Sequence, residues 1–89
     1  METVKSMLLA VSRAGHDKDS LYVVLAEDGP YYWLADGKSR TLAKPKKKKK
    51  IHVQIIKHLP EELLKQMESI NMDADLRRIL RAYRTFQEK

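Results

Sequence analysis

Five consecutive lysines, Lys46 to Lys50, are the side chains in this 89-residue chain with the most chemistry to offer. Each is a compact cation with three donors, suited to gripping a phosphate and unable to read a base edge bidentately. Adjacent lysines repel one another by several tenths of a kcal/mol or more per close pair at low salt, an odd load to place inside a small domain unless an anion relieves it. Phosphates would do so, releasing counterions and making affinity fall steeply with salt. The alternative is a solvated loop with no dedicated partner. The run lies in a larger basic segment. From Asp36 to His52 there are eight cations (Lys38, Arg40, Lys44, Lys46, Lys47, Lys48, Lys49, Lys50) and one anion, Asp36, a local net charge of +7 in a chain whose total is +6. The rest of the molecule is therefore slightly acidic, and the segment has the character of a polyanion contact site rather than of a generally basic surface.

Other candidates are more ambiguous. Lys38 and Arg40 flank a turn, where an arginine fork could hold a phosphate or a base edge, or both are ordinary exposed strand cations. Arg13 and Lys18, with His16, lie in a polar connection and offer a second contact, unless Asp17 and Asp19 simply close a turn there. Tyr31, Tyr32 and Trp33 are consecutive, so strand alternation separates Tyr31 and Trp33 from Tyr32 and Leu34. One set belongs in a core, and the other either stacks on unpaired bases, worth about 1–3 kcal/mol per base, or covers neighbouring elements. Arg77, Arg78, Arg81 and Arg84 flank an apolar stripe in a tail of balanced charge, which reads as a solvated helix face unless that helix lies beside the lysines.

Catalytic and metal chemistry find no machinery. There is no cysteine, hence no disulfide framework or thiolate zinc site. His16, His52 and His58 have no histidine partner at helical i, i+4 spacing, so no metal site is expected. No nucleophilic triad, paired-carboxylate arrangement or glycine-rich phosphate loop stands out, and the expectation is a protein that is not an enzyme and needs no cofactor.

The elements that must position these side chains follow from periodicity. Met7 to Ser12, Leu21 to Ala26 and Tyr31 to Ala35 read as three strands separated by turn formers. Asp36-Gly37 suits a two-residue type I′ hairpin, after which Ser39 to Ala43 is the expected fourth strand. The alternation of Ile51, Val53 and Ile55 with His52, Gln54 and Ile56 predicts a fifth, leaving residues 44–50 as a basic loop. From Pro60 the pattern becomes helical. Leu63, Leu64, Met67 and Ile70 form one apolar face, and Leu76, Ile79, Leu80 and Tyr83 another, with Asn71 or Asp73 as cap. The fold expected is mostly β with C-terminal α: a small five-stranded curled sheet or barrel over residues 1–57, and a helical extension over 58–89 that packs on it or on a second copy. No segment approaches the roughly 18 apolar residues of a membrane span, and the stretch Met7 to Val11 is too short for a signal peptide, so a cytosolic location is expected.

Certain blocks are recognisable: Ala10 to Lys18, Tyr22-Val-Val24, Ala35-Asp-Gly-Lys-Ser-Arg40, Lys44-Pro-Lys-Lys-Lys-Lys49, and the tail Asp73 to Leu80. In these the chain resembles the bacterial KOW-domain RNA-binding proteins, relatives of the eukaryotic-type large-subunit ribosomal proteins of the fourteen-e branch. The resemblance implies an SH3-like five-stranded barrel followed by two short helices. It also implies binding to structured RNA, ribosomal RNA first, in a ribosome-associated or assembly role and without catalysis. At one position the chain departs from the pattern. Asp19 stands where the KOW motif usually has a glycine, and an aspartate can take up a left-handed turn there at some cost. The competing expectations are an SH3-like protein-interaction module of the translation or transcription machinery, and a non-specific nucleic-acid binder.

Overall fold

Short apolar runs that cannot each bury two faces alone must share a sheet, and they do. The computed structural model describes residues 8–87. Its strands are β1 (Leu9–Ser12), β2 (Leu21–Asp28), β3 (Tyr31–Ala35), β4 (Lys46–Lys49) and β5 (Val53–Ile56), followed by helices α1 (Glu61–Met67) and α2 (Asp73–Gln87). All pairings are antiparallel, in the order β4-β3-β2-β1-β5, so the sheet does not close and β4 and β5 are its edges. The part of the first expected strand that falls on Met7 lies outside the described residues.

Two expectations at the basic segment are corrected. Ser39 to Ala43 is not a strand, and the lysine run is not a loop: Lys46–Lys49 is β4 itself, paired residue for residue with β3 from Leu34↔Lys46 to Tyr31↔Lys49. Lysine ranks low in strand propensity, but at a sheet edge its aliphatic stem covers neighbouring side chains while its charge discourages pairing with another chain. Nor does Asp36-Gly37 make a two-residue hairpin. Only Gly37 of the two has a positive φ, 81°. Asp36 instead accepts the backbone N–H groups of Lys38 and Arg40, both at 2.9 Å, and the chain makes a ten-residue excursion before returning as β4. The fifth strand also starts later than expected, because Lys50–His52 forms a 3-10 turn that leaves Ile51 82% exposed.

The sheet has two apolar faces. On one, Leu9, Leu21, Val23 and Ala35 pack against Leu63, Met67, Ile70, Leu76, Ile79, Leu80 and Tyr83, so the helical stripes are covered by the chain's own sheet. On the other, Ala10, Tyr22, Val24 and Leu34 join Leu8, Tyr32, Val53 and Ile55 inside the curl of the sheet. Full burial of a leucine-sized side chain contributes roughly 1.5–3 kcal/mol, and both faces contribute several. A bulge between Val24 and Ala26 interrupts the β2–β3 register and bends β2 so that the curl can form.

The helices are started and anchored by charge. Pro60 precedes α1, with Glu61 and Glu62 beside its positive end. Asp73, expected as a cap, and Asp75 tie the start of α2 to neighbouring segments. Asp73 accepts the N–H of Leu42 at 2.8 Å, while Asp75 accepts those of Asn71 at 2.8 Å and Met72 at 3.0 Å. These backbone donors hold the Asp75 carboxyl below the usual range, with Arg78 adding to the effect.

Candidate functional site

In a strand, successive side chains leave on opposite faces, and β4 applies this rule to four identical residues. Lys46 and Lys48 turn into the curl and Lys47 and Lys49 turn out. The inward pair meets Asp17, carried on the β1–β2 connection. Lys46 Nζ lies 2.9 Å from Asp17 Oδ2 and Lys48 Nζ 3.0 Å from Oδ1, with Lys48 also donating to the Ala14 carbonyl at 2.9 Å. The same carboxylate accepts from the Tyr22 hydroxyl at 2.8 Å and the Ser12 hydroxyl at 2.9 Å. Burial by itself would raise the carboxyl of Asp17, but the two ammonium groups and two hydroxyls outweigh it and hold the group far below the usual carboxylate range. Tyr22 responds in the opposite direction: burial first, then the hydrogen bond to Asp17, push its phenol up to about 12.

This cluster revises the significance of the lysine run. The anions that relieve its repulsion belong largely to the protein: Asp17 serves Lys46 and Lys48, Asp28 lies 3.5 Å from Lys47, and Glu27 lies 2.6 Å from Lys50. The contact with Glu27 holds the Lys50 ammonium above its ordinary pKa. The need for an external anion therefore no longer follows from the charge run alone. The outer pairs are exposed and individually worth about 0–1 kcal/mol, so a phosphate can displace them, whereas the Asp17 cluster is enclosed.

The outward face combines charge with aromatic surface. The register pairs Tyr31 with Lys49 and Trp33 with Lys47, placing all four on one side of the sheet. The Lys47 ammonium stands 4.5 Å from the centroid of Tyr31 and 5.5 Å from that of Trp33. Tyr32, on the opposite side, packs against the inner cluster, while its ring also carries the Lys50 ammonium at 5.0 Å. Tyr31 and Trp33 stand outside both apolar clusters.

The remaining candidates fall into two further groups. Lys38, Arg40 and Lys44 are exposed on the excursion between β3 and β4, and none has a carboxylate partner among the described residues. That excursion is clamped to α2. Arg77 donates to the Gly37 carbonyl at 2.6 Å, and a Cβ on Gly37 would collide with the Asp73 carbonyl oxygen. Lys38 consequently shares a surface depression with Arg77, Arg81 and Arg84. Arg13 is engaged on the far side, bonded to Gln54 of β5 and 3.9 Å from Asp19, while Lys18 is exposed in the same connection. Asp19 adopts the left-handed conformation, φ 73°.

Sequence reasoning passed over the role of Asp17 and treated it as turn chemistry. The available signal was weak: an aspartate between a strand ending in Ser12 and one carrying Tyr22, which become its partners only once the connection folds back. No helix among the described residues is long and apolar enough to cross a membrane. Compared with known proteins, the chain matches no family model, and no curated protein matches it.

Proposed function

We propose that this chain is an RNA-binding module for structured RNA, ribosomal RNA in the first instance, acting in association with the ribosome or its assembly. The observation that carries the reading is the outward face of the β3–β4 ladder, where exposed Lys47 and Lys49 stand beside partly buried Tyr31 and Trp33. Lys38, Arg40 and Lys44 extend the positive surface along the excursion before β4. In this reading Lys46 and Lys48 leave the contact set, since Asp17 already holds them, and serve to keep β4 in place.

The resemblance to the KOW-domain RNA-binding proteins is consistent with the architecture. The antiparallel sheet in which β1 lies between β2 and β5, with a 3-10 turn joining the two edge strands, supports the SH3-like reading. The left-handed Asp19 supports the motif's alignment with this loop, as the conformation is the one glycine would supply.

A mobility-shift titration against a ribosomal RNA fragment tests the proposal. Replacing Lys47 and Lys49 with serine is expected to weaken binding and to reduce the slope of log affinity against log salt by about 2, roughly one per phosphate contact removed. An unchanged affinity and slope would sink it. Equal competition by duplex DNA would instead mark a non-specific nucleic-acid binder.

A second reading rests on a different surface. Phe86 is 47% exposed and borders a groove with Pro60, Leu63 and Ala82 between α1 and α2, which suits an apolar protein partner. Loss of a protein contact on replacing Phe86 with serine, with RNA affinity intact, would favour it.

A further inference from the structure

Resting on the RNA-binding reading, we infer that the outward face of the β3–β4 ladder takes unpaired nucleotides, stacking bases on Tyr31 and Trp33 while Lys47 and Lys49 hold the adjoining phosphates. The spacing of the rings leads to this. Tyr31 and Trp33 are two residues apart on one strand, so their attachment points stand about 6.6 Å apart. Stacked bases in a duplex strand rise only about 3.4 Å per nucleotide. Two bases can therefore occupy the two rings together only in a strand that has been opened out, and a continuous duplex offers no free base face at all.

The position of Lys47 supplies the second part. Its ammonium lies over both rings, 4.5 Å from the Tyr31 centroid and 5.5 Å from that of Trp33, so a base stacks there as Lys47 swings off the rings towards the adjoining phosphate. Both rings lie outside the apolar clusters that hold the domain together, and on the far rung of the ladder Lys49 is exposed. The acid paired with Lys47 is Asp28, 3.5 Å away with 58% of its side chain exposed. A phosphate arriving at Lys47 displaces that contact at small cost, because an exposed pair of this kind is weak and screened. Aromatic surface then recognises the single-stranded state and the lysines bind its backbone, a division that favours unpaired loops and bulges over helices while remaining tolerant of sequence.

The chain has a single tryptophan, Trp33, so its fluorescence reports on this face alone. The full-length protein would be titrated with a 12-nucleotide uridine-rich RNA strand and, separately, with a blunt 12-base-pair RNA duplex containing that strand. The expected result is saturable quenching of Trp33 by the single strand, with weaker binding and little quenching by the duplex. Trp33→Leu is expected to lower single-strand affinity roughly five- to hundredfold while leaving duplex affinity unchanged, the range a lost base stack implies. Trp33→Phe should restore part of the loss. Equal or tighter duplex binding without quenching would overturn the inference and leave the RNA-binding reading standing. Binding of neither RNA would overturn both. Should Trp33→Leu fail to fold, quenching of the unaltered protein decides alone.

Discussion

Lys46 and Lys48 differ from Lys47 and Lys49 in nothing but the face of the strand they occupy, yet the two pairs live in different chemistry. The inward pair is enclosed, with the Lys48 side chain 10% exposed and bound to a carboxylate that is itself 14% exposed. The outward pair lies in solvent beside aromatic rings, and its one ion pair among the described residues, Lys47 with Asp28, is long and exposed. A run of like charge is thus divided by the strand's two-residue period into a structural half and a half open to a ligand. Charge density along a sequence does not measure the charge available to a partner.

The most severe way to break this division is to remove its inward anchor. Asp17→Ala would leave two neighbouring lysines facing the curl with no counter-charge, and would strip Tyr22 of its acceptor and Ser12 of one of its two. Loss of one partner from a buried ion pair costs about 3–5 kcal/mol, a large share of the stability of a domain this small. Urea or thermal unfolding should show it. Lys48→Met, which keeps the stem and leaves Asp17 paired with Lys46, should cost clearly less. Equal costs for the two variants would mean that Lys46 contributes nothing.

Acid and base should attack the same anchor from opposite sides. Asp17 ionises far more readily in the folded chain than its ordinary value of 3.8 allows, so its contribution is complete above about pH 5 and is lost progressively as pH falls below that value. Tyr22 is raised from 10.0 to about 12, so the stability contributed by its neutral phenol is present below pH 10 and disappears as pH climbs towards 12. Together they predict a plateau of stability that falls at both ends, with the high-pH loss on the order of 2 kcal/mol. Denaturant midpoints measured from pH 2 to 12 test this, and Tyr22→Phe should flatten the alkaline limb and, by removing one of the donors to Asp17, shrink the acid limb in part.

Much of this architecture was legible in the sequence because it rests on periodicity. Leu21 to Ala26 and the stripe of Leu76, Ile79, Leu80 and Tyr83 each announce their element and their buried face. The left-handed turn at Asp19 was expected only through the resemblance, and aspartate is among the few residues other than glycine that tolerate it. The fourth strand was not. Thr41-Leu42-Ala43 looks more strand-like than four lysines, and Leu42 does pack on the core, but from an irregular segment whose N–H is taken by Asp73. A uniform run carries no alternation, so nothing in Lys46–Lys49 could reveal which lysines turn inward; that depends on Asp17, some thirty positions away.

A smaller perturbation separates the excursion from the ladder. Gly37 sits at φ 81° against the first turn of α2, where an added Cβ would meet the Asp73 carbonyl. Gly37→Ala should cost at least about 1–2 kcal/mol from the left-handed conformation alone, and should also shift the excursion that displays Lys38 and Arg40. The ladder does not depend on that contact. Binding through Lys38 and Arg40 should therefore weaken while Trp33 fluorescence in the free protein stays unchanged. A change in that emission would mean that the two regions are mechanically coupled.

The gentlest test is also the sharpest for the division itself. Lys49→Ser removes an exposed charge on the outward face, and the stability change should remain within about 0.5 kcal/mol, as for most surface substitutions. Lys47→Ser gives up an exposed ion pair and its contact with the two rings, so a loss of up to about 1 kcal/mol is expected. Against RNA the order should reverse: these two substitutions should lower affinity and salt dependence, whereas Lys46→Met, inside the curl, should lower stability and leave the salt slope unchanged. Measuring unfolding and RNA affinity on the same three proteins places each lysine on one side or the other. A uniform effect on both properties at all three positions would show that the strand's alternation has no functional meaning, and that the run acts as an undifferentiated cloud of charge.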